Sequence, residues 1–118
     1  MQFLKRQPIL VLILIVQTLL VLTYTLYVGS KDGWIFLQVA TTNLASLTWN
    51  GQFTIDFSSY LLFSGLWIAW RGKFSLTSIL LGIVASILGF IVFAPYFIWL
   101  LYKENGELLK VLTGSRNN

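Results

Sequence analysis

The sequence predicts an all-α integral membrane protein of three transmembrane helices, with a short amphipathic helix at the interface between the first two. Three observations predict it. The 118 residues are 57% hydrophobic and 10% charged, whereas a soluble domain carries about 25% charged residues. Mean hydropathy is +0.79, and eight basic and four acidic side chains are too few to coat a globule of this size in water. The apolar residues also gather into runs near the length of about 20 residues that crosses a hydrocarbon core of about 30 Å as a helix. Residues 1–118 form one membrane domain on this view.

The first span covers residues 8–28, PILVLILIVQTLLVLTYTLYV, and contains no charge. Pro8 suits the first helical turn, where its missing N–H removes no bond. Gly29-Ser30-Lys31-Asp32-Gly33 supplies the turn residues that end it. A cleaved signal peptide, with Lys5 and Arg6 as its basic start, is the other reading. The apolar run exceeds the about 7–15 residues of a signal's apolar region, which favours a retained anchor.

The connection 34–53 is too polar for a span and too apolar for a plain loop. Trp34, Leu37, Leu44 and Leu47 fall roughly along one side at helical spacing, and Trp34 and Trp49 bracket the segment. This predicts an interfacial amphipathic helix over 34–49; an irregular loop packed on the bundle is the alternative. Asn50-Gly51 predicts a turn into the second span. That span covers 54–70 and holds one acid, Asp56. Arg71-Gly72-Lys73 closes it, and the third span runs over 75–102. A polar tail, 103–118, follows.

Three spans place Lys5, Arg6, Arg71 and Lys73 on one side, and Lys31 and the tail on the other. Basic residues close to span ends then number four against two. The preference of Lys and Arg for the cytoplasmic side predicts a cytoplasmic N-terminus and an external C-terminus. Trp67, Trp70 and Phe74 would line the inner interface; Tyr24, Tyr27, Trp34, Trp49, Trp99 and Tyr102 would line the outer one. The net charge of +4 fits contact with anionic headgroups and suggests no nucleic-acid partner.

Helices associate in lipid through small residues and polar contacts. The third span carries Gly82, Ala85, Ser86 and Gly89 as paired small residues four apart; the second carries Ser58, Gly65 and Ala69 on one face. The short link between these spans predicts that the two stripes face each other, with a dimer interface as the alternative. Pro95 predicts a kink in the third span. Gln17, near the middle of the first span, is expected to face the bundle.

Composition removes much chemistry. No Cys means no thiolate or disulfide, and no His means no imidazole ligand or base. Serines without His form no ordinary catalytic triad, and no phosphate-loop, dinucleotide or zinc-protease motif is present. No enzymatic activity, metal or cofactor is expected. Interfacial belts account for most of the Trp, Tyr and Phe, which are alternatively the lining of a lipid, quinone or pigment pocket.

Asp56 is the one ionisable residue inside a predicted span. It is either a proton or cation site, with Asn43, Gln17, Ser59 or Tyr60 as polar partners, or a carboxylate near a helix N-terminus capped by Thr54. Two functions follow: a structural or accessory component binding lipids, other membrane proteins or itself, and a transport component centred on Asp56.

Several short motifs stand in order from Phe36 onward: Phe36-Leu37-Gln38, Asn43-Leu44-Ala45-Ser46, Asp56, Arg71-Gly72-Lys73, Ala94-Pro95-Tyr96-Phe97 and Tyr102-Lys103-Glu104. In these the chain resembles the domain-of-unknown-function family two-eight-three-four, small bacterial integral membrane proteins. The resemblance covers about two thirds of the chain. It implies a three-span protein of a bacterial plasma membrane and gives prominence to Asn43, Asp56 and Pro95. It implies no activity.

Overall fold

A computed structural model describes residues 2–114. All its regular structure among these is helical: α1 (Gln2–Arg6), α2 (Pro8–Asp32), α3 (Phe36–Ser46), α4 (Trp49–Arg71), α5 (Leu76–Leu88), α6 (Phe90–Lys103) and α7 (Leu108–Thr113). Residues 115–118 of the expected tail lie outside the described residues.

α2 starts at Pro8, as the fixed φ of proline favours, and runs through the expected Gly29–Asp32 turn before ending at Gly33. Its apolar residues surround it on all sides. Only Val11, Leu14 and Gly29 are buried. Residues 36–46 are helical rather than an irregular loop. The reversal after α3 falls at Leu47, in the left-handed region at φ 55°, not at Asn50-Gly51. Thr48 is extended and begins α4, so Asn50 and Gly51 lie in the first turn of that helix.

α4 and α5 form a close antiparallel pair. Ser75 caps α5 by accepting the backbone N–H of Ser78, which satisfies one of the orphan donors of its first turn. Gly65, Ala69, Gly82 and Ala85 are buried between the two helices. A Cβ on Gly82 would stand 2.5 Å from the Gly65 carbonyl oxygen, and one on Gly65 would stand 2.5 Å from that of Gly82. The backbones therefore touch directly. Ser86 donates its hydroxyl across to the Leu61 carbonyl at 3.2 Å, and Ser78 donates to that of Ala69 at 3.3 Å. Ser58 is not in this contact: it is exposed and returns its hydroxyl to Thr54. α5 ends at Leu88 before it can cover that position.

The expected third span, 75–102, is two helices. Gly89 breaks it with φ 79° and ψ −144°, a conformation open essentially to glycine alone. The chain then folds back. Gly89 lies beside Leu61 and Phe57, whereas Phe93 and Phe97 both stand 5.8 Å, ring to ring, from Trp67. α6 thus returns toward the C-terminal end of α4. The break falls at Gly89 rather than Pro95, and α6 passes through Pro95 as a helix.

α6 runs antiparallel to the first half of α2, with Pro95 and Ile98 opposite Ile15, Thr18 and Leu19. Phe3 meets Tyr102 edge-on at 5.7 Å, and Gln7 donates to the Gly106 carbonyl at 3.2 Å. The main core lies at this end: Val11, Leu14, Ala94, Leu100, Leu101 and Val111, flanked by Trp67, Phe97 and Leu108. Trp99 and Tyr102 consequently share the end of the molecule that carries Trp70 and Phe74, not the opposite end.

Candidate functional site

The polar residues singled out as one potential site are not gathered into one. Asn43 sits in the α3–α4 corner, its amide 3.4 Å from the Thr54 hydroxyl. Gln17 is exposed on α2, a helix that packs along α6, so it does not face the bundle interior. Asp56 is exposed on α4 and makes no hydrogen bond or ion pair among the described residues.

The Asp56 environment also removes the local cap. α4 begins at Trp49, with Thr48 at its N-cap. Asp56 therefore lies about two turns inside the helix, beyond the first turn, where the N-terminal dipole acts. Thr54 is itself helical and donates to the Asn50 carbonyl at 2.8 Å. Ser59 likewise donates to Ile55 in its own helix.

A shallow groove of about 260 Å³ separates α2 from α6 at Pro95, lined by Ile15, Thr18, Leu19, Pro95 and Ile98. Its one hydroxyl, on Thr18, is donated to the Leu14 carbonyl at 2.6 Å. The groove offers only apolar contact. Among the described residues no group of His, Cys, Asp and Glu could hold a metal ion.

The densest polar cluster is at the other end of α4, where no sequence pattern signals a contact. Arg71 is buried and donates Nε–H to the Val111 carbonyl, and Gly114 packs against its side chain. Trp67 donates its indole N–H to the Leu112 carbonyl at 3.1 Å. These two side chains, one helical turn apart, tie α7 across the end of α4. Glu107 bridges to Arg6 at 3.0 Å and Lys110 at 3.1 Å. The Lys110 bond, then that of Arg6, holds the Glu107 carboxyl below its ordinary pKa. Lys103 stands 5.2 Å from the Trp99 ring centroid.

Among the described residues one helix, α2, is long and apolar enough to cross a membrane, and only 11% of its most apolar stretch is buried. Just nine apolar residues are buried among the described residues, while Leu12, Leu20, Phe57, Phe63, Ile83 and many others are open. No protein-family model matches the chain, and no curated protein or solved structure is similar to it. The resemblance seen from Phe36 onward rests on its own short motifs.

Proposed function

We propose that this chain is an integral membrane protein with a structural or accessory role, binding lipids and other membrane proteins through its uncovered apolar helix faces. The observation that carries the reading is α2: 25 residues, apolar all round, and hardly covered by the rest of the chain. A helix that is hydrophobic on every face belongs in a protein core or in lipid, and here no core encloses it. A cleaved signal fits less well, because removing α2 would strip α6 of the Val11 and Leu14 side of its core.

In this reading α2 crosses the bilayer, and α4, less apolar because of Asp56, Ser58, Ser59 and its polar first turn, crosses beside it. Each is long enough: 25 and 23 residues at 1.5 Å per residue give roughly 35 Å. α5 and α6 have 13 and 14 residues, about 20 Å each, and enter and leave from one side as a re-entrant hairpin. This revises the three-span expectation, and with it the external C-terminal tail: residues 103–107 return beside residues 3–7 on the cytoplasmic face. The accessory role follows from the scattering of Asp56, Asn43 and Gln17. A transport path needs such groups in one place, and nothing joins them.

The chain has no Cys, so single-cysteine variants report topology directly. Lys5→Cys and Lys110→Cys are expected to react with an impermeant maleimide only in inside-out vesicles, and Lys31→Cys only in right-side-out ones. Labelling of Lys5→Cys and Lys110→Cys from opposite faces would restore three spans, and release by carbonate would remove the membrane reading. For the accessory role, tagged protein purified in several mild detergents should retain a larger membrane protein in fixed stoichiometry. Its absence in every detergent refutes that role.

A further inference from the structure

The return of α6 sorts the charges. Lys5, Arg6, Arg71, Lys73, Lys103 and Lys110 all lie at one end of the molecule, with Glu104 and Glu107 as its only described acids. The opposite half holds Lys31, Asp32 and Asp56. Glu107 is already taken by Arg6 and Lys110. Arg71 is held by a neutral carbonyl and Lys103 by an aromatic face. Lys5 and Lys73 form no ion pair with a described residue, so the end carries a surplus of positive charge.

The same end is ringed by apolar and amphipathic side chains. Trp70, Phe74, Trp99 and Tyr102 are exposed there, and so are Leu109 and Leu112 of α7. Aromatic rings of this kind settle at headgroup depth. A soluble anion or an acidic protein would satisfy the cations and leave these residues in water. A bilayer surface satisfies both sets at once.

We infer that the α4–α6–α7 end of the protein is a docking surface for anionic phospholipid headgroups, with the exposed Lys5, Lys73 and Lys103 facing the phosphates and Leu109 and Leu112 dipping below them. Arg71, buried beneath this surface, holds α7 in place through Val111. The inference rests on the membrane reading above and assigns it a lipid class and a face.

The test uses full-length protein in vesicles of phosphatidylcholine containing increasing phosphatidylglycerol, with brominated forms of either lipid quenching tryptophan fluorescence. One Lys or Arg near a membrane surface contributes enough for about a fivefold preference. Phosphatidylglycerol is therefore expected to be favoured about fivefold over phosphatidylcholine in 0.1 M salt, and the preference should fall toward unity near 1 M salt. Lys5→Gln, Lys73→Gln and Lys103→Gln together should abolish it, whereas Lys31→Gln should leave it intact. Arg71 is left alone in these variants because it supports the fold. Integration is read separately, by flotation and carbonate resistance in pure phosphatidylcholine. Protein that integrates but shows no headgroup preference, or loses it equally with Lys31→Gln, overturns the inference alone. Protein that does not integrate overturns the inference and the membrane reading together.

Discussion

The contact between Gly65 and Gly82 permits a direct test by a single methyl group. In Gly82→Ala the new Cβ would stand 2.5 Å from the Gly65 carbonyl oxygen, a backbone atom that no side-chain rotation can move away. Ordinary contact begins near 3.4 Å, so α4 and α5 must separate by about 1 Å, a gap that forfeits a quarter to a half of each local dispersion contact. Overpacking of this kind costs about 1–3 kcal/mol. The same separation stretches the bonds from Ser86 to Leu61 and from Ser78 to Ala69, each worth about 0.6 kcal/mol between membrane helices. Alanine's helix propensity returns about 1 kcal/mol. The balance is a net loss of about 1–3 kcal/mol. Reversible unfolding in mixed micelles with rising dodecyl sulfate, followed by circular dichroism, measures it. Ile83→Ala, on the exposed face of α5, is the control and should stay within about 0.5 kcal/mol of the parent. Gly65→Ala added to Gly82→Ala should cost less than the sum, since one separation relieves both clashes. A Gly82→Ala protein as stable as the parent would refute the close approach of these helices.

Further outcomes are expected at four positions. Gly89→Ala forces a Cβ into φ 79° and should lower stability by about 1–3 kcal/mol, or straighten α5 and α6, which would appear as external labelling of Lys110→Cys. Trp67→Phe keeps the ring stack on Phe93 and Phe97 but removes the bond to Leu112; a loss of about 0.5–1.5 kcal/mol and faster amide exchange over residues 108–113 are expected. Glu107 has its folded pKa below the ordinary glutamate value, so its stabilisation is complete above that ordinary value and is lost as pH falls through the lower folded one. Proteolytic sensitivity of the 104–113 segment should accordingly rise below pH about 4.5, and Glu107→Gln should show that sensitivity at neutral pH, without the acid dependence. Asp56→Asn should leave stability in micelles unchanged, where loss of a helix cap would cost about 1 kcal/mol; a drop of that size would return Asp56 to a capping role.

The helical class and the small-residue packing were legible because both depend on local pattern. Gly65, Ala69, Gly82 and Ala85 are small at helical spacing on two elements joined by a tight link, and little else can bring two helices so close. The start of α2 was legible because proline fixes φ. The limits of α4 were not. Trp49–Phe53 has the polarity of a loop, yet it extends the helix because Thr48 is extended and α3 packs on that first turn. That extension is what carries Asp56 away from the helix end. Gly89 was visible as a small residue but not as a reversal, since hydropathy runs unbroken across it and left-handed backbone leaves no trace in composition. The bonds from Trp67 and Arg71 to α7 were illegible for a related reason. Their acceptors are backbone carbonyls 40 or more residues away, which no side-chain pattern encodes.

Gly89 is thus the residue on which topology turns. A continuous helix over 75–102 would deliver Lys103, Glu104, Glu107 and Lys110 to the side of Lys31 and Asp32, and the basic residues would be divided between two membrane faces. A reversal at Gly89 delivers them instead to Lys5, Arg6, Arg71 and Lys73. Under the proposed membrane reading, the side preference of Lys and Arg, modest with three spans, becomes six against one among the described residues. Helix geometry supports the same outcome. α6 reaches back far enough for Gly106 to meet Phe3 and Arg6, and the Glu107 bridge then joins two segments 101 residues apart in sequence. The charge distribution and the packing are set by different residues, yet both gather the two segments at one end of the molecule. Asp56, exposed on α4 with no hydrogen bond or ion pair among the described residues, lies toward the opposite end of the molecule, with Lys31 and Asp32.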